Sequence, residues 1–139
     1  KSIRPKINIF NQSCPLFVPL VEEGLTKGPI TKLIAESYLS HFKNTDVDTL
    51  ILGCTHYPIL TAVIKDVVGK SISLVDSGKA TAEVVMEVLN KNGLLSEEPN
   101  GGVYSFVTDS KQSFQKVITK ALTSEINISI KSINRIDIN

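Results

Sequence analysis

The sequence predicts an α/β fold, a mostly parallel sheet with flanking helices, on three observations. Short aliphatic runs recur along the chain, each is followed by a stretch of helical periodicity, and glycines or polar turns punctuate the junctions. Strands that alternate with helices build parallel sheets, because a parallel neighbour can be reached only by a crossover. Residues 6–10 read as a short opening strand. In residues 14–23, Pro15 and Pro19 exclude a regular central strand and leave a loop or broken helix. From 29 to 42, Ile30, Leu33, Ile34, Tyr38 and Phe42 recur at three and four, the stripe of a helix laid on a sheet, with Pro29 in its first turn and Gly24 and Gly28 at its entry. Residues 47–52 form a nearly continuous apolar run, as expected of a strand buried on both faces, and Gly53 ends it.

Residues 58–68 place Leu60, Val63, Ile64, Val67 and Val68 at helical spacing, with Gly69 as a left-handed cap. The unit then repeats: strand 72–75, turn Asp76-Ser77-Gly78, and a helix over 79–90 with Ala80, Val84, Val85 and Val88 on one face and Gly93 at its end. Residues 95–102, with Pro99, Asn100, Gly101 and Gly102, read as an internal boundary or mobile loop. A strand over 103–107, a helix capped by Asp109 or Ser110 and running to about Leu122, and a last strand in which Ile126, Ile128 and Ile130 alternate complete the chain.

The 139 residues are 42% hydrophobic and 21% charged, one globular domain's worth of chain. Fifteen basic and fourteen acidic side chains leave a charge of +1, which excludes the dense positive face of a phosphate-tracking nucleic-acid binder. Apolar stretches fall far short of the roughly 20 residues of a membrane span. Two cysteines make no disulfide framework and no secretory signal opens the chain, so a cytoplasmic location is expected. The first residue is Lys1, so either the start was trimmed or the chain is a piece of something longer.

Ligands of open α/β sheets sit beyond the carboxyl ends of strands, which directs scrutiny to 11–14, 53–56 and 76–78. The second is the richest. Gly53 permits a tight turn, Cys54 is delivered to the mouth of the sheet, and the amides of Thr55 and His56 approach a helix N-terminus suited to a carboxylate. That helix end and the imidazole would lower the thiol pKa and make Cys54 a base or nucleophile. The plain alternative is a buried apolar cysteine. Cys14, Cys54, His41 and His56 lack paired metal-ligand spacing, so no metal is expected. His41 reads as a helix-end cation, Asp76-Ser77-Gly78 as either a cap or a binding loop, and Glu22 as a solvated acid unless the fold promotes it. No Walker loop or GxGxxG occurs.

The run Leu50-Ile51-Leu52-Gly53-Cys54-Thr55-His56-Tyr57-Pro58 resembles the second active-site signature of the glutamate racemases, in the aspartate/glutamate racemase superfamily. Residues 13–22, Ser-Cys-Pro-Leu-Phe-Val-Pro-Leu-Val-Glu, resemble another block of the same enzymes, and Val75-Asp76-Ser77-Gly78 a third. His56 after Cys-Thr is similar to the glutamate branch, whereas aspartate racemases carry an acidic residue there. The resemblance implies cofactor-free interconversion of L- and D-glutamate by two cysteines on opposite faces of the substrate α-carbon, with the D-isomer supplying peptidoglycan. It implies catalytic roles for Cys54, His56 and Glu22, and substrate contacts from Thr55 and Gly53. The opposing cysteine of the family comes from an N-terminal half not encoded here, and Cys14 aligns with a position that is not that base and is assigned to packing.

The resemblance further implies a two-domain racemase architecture with the N-terminal half missing. Residues 1–76 would be part of the second α/β domain and residues 77–139 would return to complete the first, with apolar faces left partly uncovered. The chain would then be a fragment, inactive alone. Its expected partners are glutamate and the missing half, with a homodimer left open; neither nucleic acid nor membrane is expected. The alternatives are a non-catalytic remnant or carboxylate-binding module, an aspartate racemase-like enzyme, and a cysteine hydrolase or transferase pairing Cys54 with His56. Residues two apart on a turn seldom face each other, which weighs against the last.

Overall fold

A computed structural model describes residues 7–97, 101–122 and 129–137. The helices are α1 (Phe17–Glu22), α2 (Pro29–Leu39), α3 (Thr61–Val68), α4 (Ser77–Lys91) and α5 (Lys111–Leu122); the strands are β1 (Thr49–Leu52), β2 (Ser73–Asp76), β3 (Gly102–Val107) and β4 (Ser129–Arg135). The alternation is α/β with parallel pairing as predicted, and the strands form two separate two-stranded parallel sheets, β1 with β2 and β3 with β4.

In the first sheet Leu50 lies opposite Leu74, and Leu52 opposite Asp76. The pleat sends Leu50, Leu52 and Leu74 toward the helices. It turns the paired Ile51 and Val75 the other way, and Ile51 is 70% exposed. The run over 47–52 therefore has one covered face, not the two expected of it. The buried core draws on α1, α2, α3 and the strands between them. Phe17, Val21, Leu60, Ile64, Val67 and Val68 are its most enclosed side chains, and all the core residues fall between Cys14 and Ile72.

Three local readings are corrected. Residues 7–10 are not a strand: Ile7, Ile9 and Phe10 are exposed and no neighbouring strand pairs with them among the described residues, whereas a strand exists only by its ladder; Lys6 lies outside the described residues. The helix from Pro29 ends at Leu39, and a 3₁₀ turn over Ser40–Asn44 follows. Its buried stripe is Thr31, Ala35 and Leu39, flanked by Ile34 and Tyr38, while Ile30 and Leu33 point outward. Thr31 is not on the apolar stripe read from the sequence, yet it is buried, and its hydroxyl donates to the Leu25 carbonyl at 2.8 Å, which offsets the cost of burying it. Gly69 has φ +93° and ψ 172°, a positive φ but not the left-handed helical cap expected. Gly93 does adopt that cap: at φ +66° it donates to the Asn90 carbonyl while Leu94 donates to Leu89, closing α4 in a Schellman turn.

The α3–β2 connection is held by the Lys65 ammonium, which donates to the carbonyls of Lys70 and Ile72. Lys32 on α2 pairs with Asp66 on α3 at 2.6 Å. The hydrogen bond and charge of Lys32 hold the Asp66 carboxyl below its ordinary range, so what this exposed pair adds to stability is present above that range and lost as the pH falls through the lowered value.

From α4 onward the packing thins. Asp76 caps α4 through its Oδ1, which accepts the Gly78 amide at 2.8 Å, so 76–78 is a cap in this structure. The helix buries none of its fifteen residues, and Val84, Val85 and Val88 of the predicted apolar face are all exposed. In β3 Ser105 points inward while Tyr104 and Phe106 stand in solvent. α5 rests on α1, and its Val117 packs against the core. Of the alternating isoleucines, Ile130 is in β4 and Ile126 and Ile128 lie outside the described residues.

Candidate active site

Parallel pairing of β1 with β2 brings their carboxyl ends side by side, so the turn 53–56 and the start of α4 share one end of the sheet. After Leu52 the chain leaves the sheet at Gly53, presents Cys54 half-buried, exposes Thr55 and half-buries His56. The helix expected from Pro58 begins instead as a 3₁₀ turn, Tyr57–Leu60, and becomes α-helical only at Thr61. Pro58 has no amide to donate, and the Thr61 hydroxyl ties back to the Pro58 carbonyl at 2.6 Å, both of which favour the tighter turn. The Tyr57 amide donates to the Cys54 carbonyl at 3.2 Å and the Ile59 amide to the His56 carbonyl at 3.1 Å.

Thr55 Oγ1 and His56 Nδ1 lie 3.3 Å apart, so the hydroxyl donates to the ring whenever that nitrogen is unprotonated. This restrains the half-buried imidazole against the Thr55 hydroxyl. Gly53 has no positive φ, and a Cβ built on it would meet nothing within 4 Å. Among the described residues nothing requires glycine there, and the space beside the backbone is open. Gly53→Ala is expected to change stability by less than about 0.5 kcal/mol in urea unfolding, as an unstrained surface substitution does.

The two cysteines are in opposite environments. Cys14 is 5% exposed, and burial pushes its thiol up to about 11. It is a packing residue, as read from the sequence, and a poor base at neutral pH. Folded Cys14 keeps its proton where the unfolded chain would ionise, so its contribution to stability is intact below about pH 9 and is lost as the pH rises through about 11. Cys14→Ala is expected to remove about 2 kcal/mol of alkaline destabilisation from urea midpoints compared across that window.

Glu22 closes α1 with its side chain in solvent. α1 packs against the turn that follows Cys54, but through its apolar face. Gly53, Cys54, Thr55 and His56 thus come together in one turn, with Glu22 on a neighbouring element. Among the described residues no group of three or more His, Cys, Asp or Glu is placed to hold a metal ion, and no helix is long and apolar enough to cross a membrane. Two surface hollows, one between α2 and α3 at Lys32 and Asp66, the other at Phe10, His41 and Val47, lie away from Cys54.

Sequence reasoning missed Tyr57 and Phe17 as parts of this site. The Tyr57 hydroxyl donates to the Cys14 carbonyl at 3.3 Å, and its ring meets Phe17 edge to face at 5.3 Å. The signal was present, since both residues lie in the two quoted blocks, but the Tyr57–Cys14 hydrogen bond that joins those blocks spans positions 43 apart.

No family model matches the chain. Curated relatives do: it is 40% identical over 121 residues to a glutamate racemase of Chlorobaculum tepidum and 41% identical over 127 residues to one of Geobacter metallireducens, covering 86% and 91% of this chain but 44% and 47% of those proteins. Among solved structures it is similar to glutamate racemase from Thermus thermophilus in complex with β-chloro-D-alanine (TM-score 0.72, 35% identity) and to that of Francisella tularensis in complex with D-glutamate (TM-score 0.71, 34% identity). These matches cover 91% and 92% of this chain and 47% and 48% of those chains. The chain spans about half the length of the relatives it matches. Sequence and fold agree over that span: the chain is homologous to the C-terminal portion of the glutamate racemases.

Proposed function

We propose that this chain supplies one side of the catalytic site of a cofactor-independent glutamate racemase. Support comes from relatives named for that activity, from a similar structure that holds D-glutamate, and above all from Cys54, a half-buried thiol at the carboxyl end of β1 grouped with Thr55 and His56. Inversion at carbon needs a base on one face and an acid on the other. The Cys54 thiolate takes the α-hydrogen as a proton, the electron pair stays on the α-carbon, and an opposing thiol returns a proton from the other side. In the reverse reaction the roles exchange. His56 receives or returns the proton of Cys54, Thr55 orients the imidazole and the substrate, and Glu22 adds a polar group at the margin. The open space at Gly53 lets the substrate carboxylate approach the main chain. The D-isomer so made serves peptidoglycan synthesis in the cytoplasm.

The opposing acid belongs to the polypeptide that makes up the remaining length of the relatives. Residues 1–76 hold the Cys54 turn, and residues 77–139 complete a domain built largely by that polypeptide. The bare apolar face of α4, the exposed Ile51 and Val75, and the exposed Tyr104 and Phe106 support this reading, because large exposed apolar surfaces mark interaction sites. Covering these faces also excludes water from the reacting carbon, which a carbanion-like transition state requires. The chain mixed with that polypeptide should convert D-glutamate to L-glutamate on chiral chromatography, and glutamate should slow alkylation of Cys54. Protection without conversion would instead describe a carboxylate-binding module.

A further inference from the structure

We infer that Tyr57 is a positioning residue for Cys54: its phenol ties the Cys54 turn to the main chain at Cys14, so that two distant segments support one thiol. The inference rests on the catalytic reading of Cys54 proposed above. Cys54 makes no side-chain hydrogen bond among the described residues, so the direction of its Sγ is set by the backbone of the turn. That turn has few restraints. The Tyr57 amide donates to the Cys54 carbonyl at 3.2 Å, directly coupling residue 57 to the backbone of residue 54. At its other end the same residue is fixed twice: the hydroxyl donates to the Cys14 carbonyl at 3.3 Å, and the ring packs edge to face on Phe17.

The anchor is rigid. The Cys14 carbonyl also accepts the Phe17 amide at 3.1 Å, and Phe17 is 1% exposed, wedged between Tyr57 and Tyr38. A tyrosine phenol is a donor at neutral pH in any case, and burial first, then the Cys14 and Cys54 thiols, hold that of Tyr57 above its ordinary value. This gives Cys14 a part that its thiol does not play: it contributes a carbonyl.

Tyr57→Phe keeps the ring and the Phe17 contact and removes only the hydroxyl. In the labelled 139-residue chain, amide exchange at residue 57 should quicken about tenfold, the worth of one hydrogen bond, while the amides of α2 and α3 keep their rates. Cys14→Ala, which retains the carbonyl, should leave exchange at residue 57 within about twofold. With the complementary polypeptide present, Tyr57→Phe should lower kcat about tenfold and leave KM within about twofold, because the hydroxyl holds the Cys54 thiol rather than the substrate. Unchanged exchange at residue 57, or an equal rise across α2 and α3, would overturn the inference, as would a Cys14→Ala effect as large as that of Tyr57→Phe. Should the unsubstituted pair fail to convert glutamate, the racemase reading falls, and the amide rates still decide whether the hydroxyl orders the turn.

Discussion

Replacing Cys54 by alanine, with the chain paired to the polypeptide that completes its relatives, is expected to slow interconversion of L- and D-glutamate by about a thousandfold or more. General acid–base groups contribute roughly 10²–10⁴ each, and inversion needs two of them in one cycle. The loss should be asymmetric at the level of hydrogen exchange. A remaining base on the opposite face still reaches the α-hydrogen of one isomer, so that isomer continues to exchange with solvent without inverting, while the other becomes inert. Cys14→Ala, by contrast, should leave interconversion within about twofold, because a thiol pushed to about 11 by burial does not act as the base at neutral pH. Chiral chromatography and deuterium incorporation, run on both isomers, separate these outcomes.

Phe17→Ala is expected to destabilise the chain by about 3–5 kcal/mol, the cost of truncating a fully buried aromatic. The total stability of a domain this small is roughly 5–15 kcal/mol, so much of it is at stake. Phe17 carries the effect because of its position. It meets Tyr38 on α2 edge to face at 5.6 Å and Tyr57 at 5.3 Å, and so joins α1, α2 and the Cys54 turn at one side chain. Phe17→Leu keeps most of the volume and loses only the edge-to-face contacts, and it should cost about 1–2 kcal/mol. Urea unfolding followed by circular dichroism measures both; equal, small losses for the two variants would show that Phe17 is not the wedge described.

Elements that carry their own local signal were legible in the sequence. The aliphatic run before Gly53 is β1, the periodic valines of 63–68 are α3, and Asp76 before Ser-Gly is the cap of α4. What failed was whatever depends on a partner. Residues 7–10 have the composition of a strand and, among the described residues, no ladder to join. Ile51 and Val75 look like the inside of a doubly covered sheet but are left exposed by the described residues. On α2, apolarity pointed to Ile30 and Leu33, yet Thr31 went inside because the Leu25 carbonyl was there to accept its hydroxyl.

The site divided along the same line. The turn Gly53-Cys54-Thr55-His56 was readable because its members are consecutive and because it resembles a known signature. Tyr57 was passed over, since its hydroxyl acts on a carbonyl in another segment and nothing in its immediate neighbours announces that. Gly53 was read as permitting a tight turn; that its φ is not positive and that the space beside it is open could be learned only from the structure.

The central claim is that Cys54 moves a proton at the α-carbon of glutamate when the remainder of the site is supplied. The most direct measurement is the α-hydrogen signal of glutamate in heavy water, followed by proton NMR with this chain and the complementary polypeptide mixed. The account predicts that the signal of either isomer decays while the opposite isomer accumulates, and that alkylating Cys54 beforehand stops both. A folded, associated pair with a free Cys54 thiol that leaves the α-hydrogen of both isomers in place would contradict it.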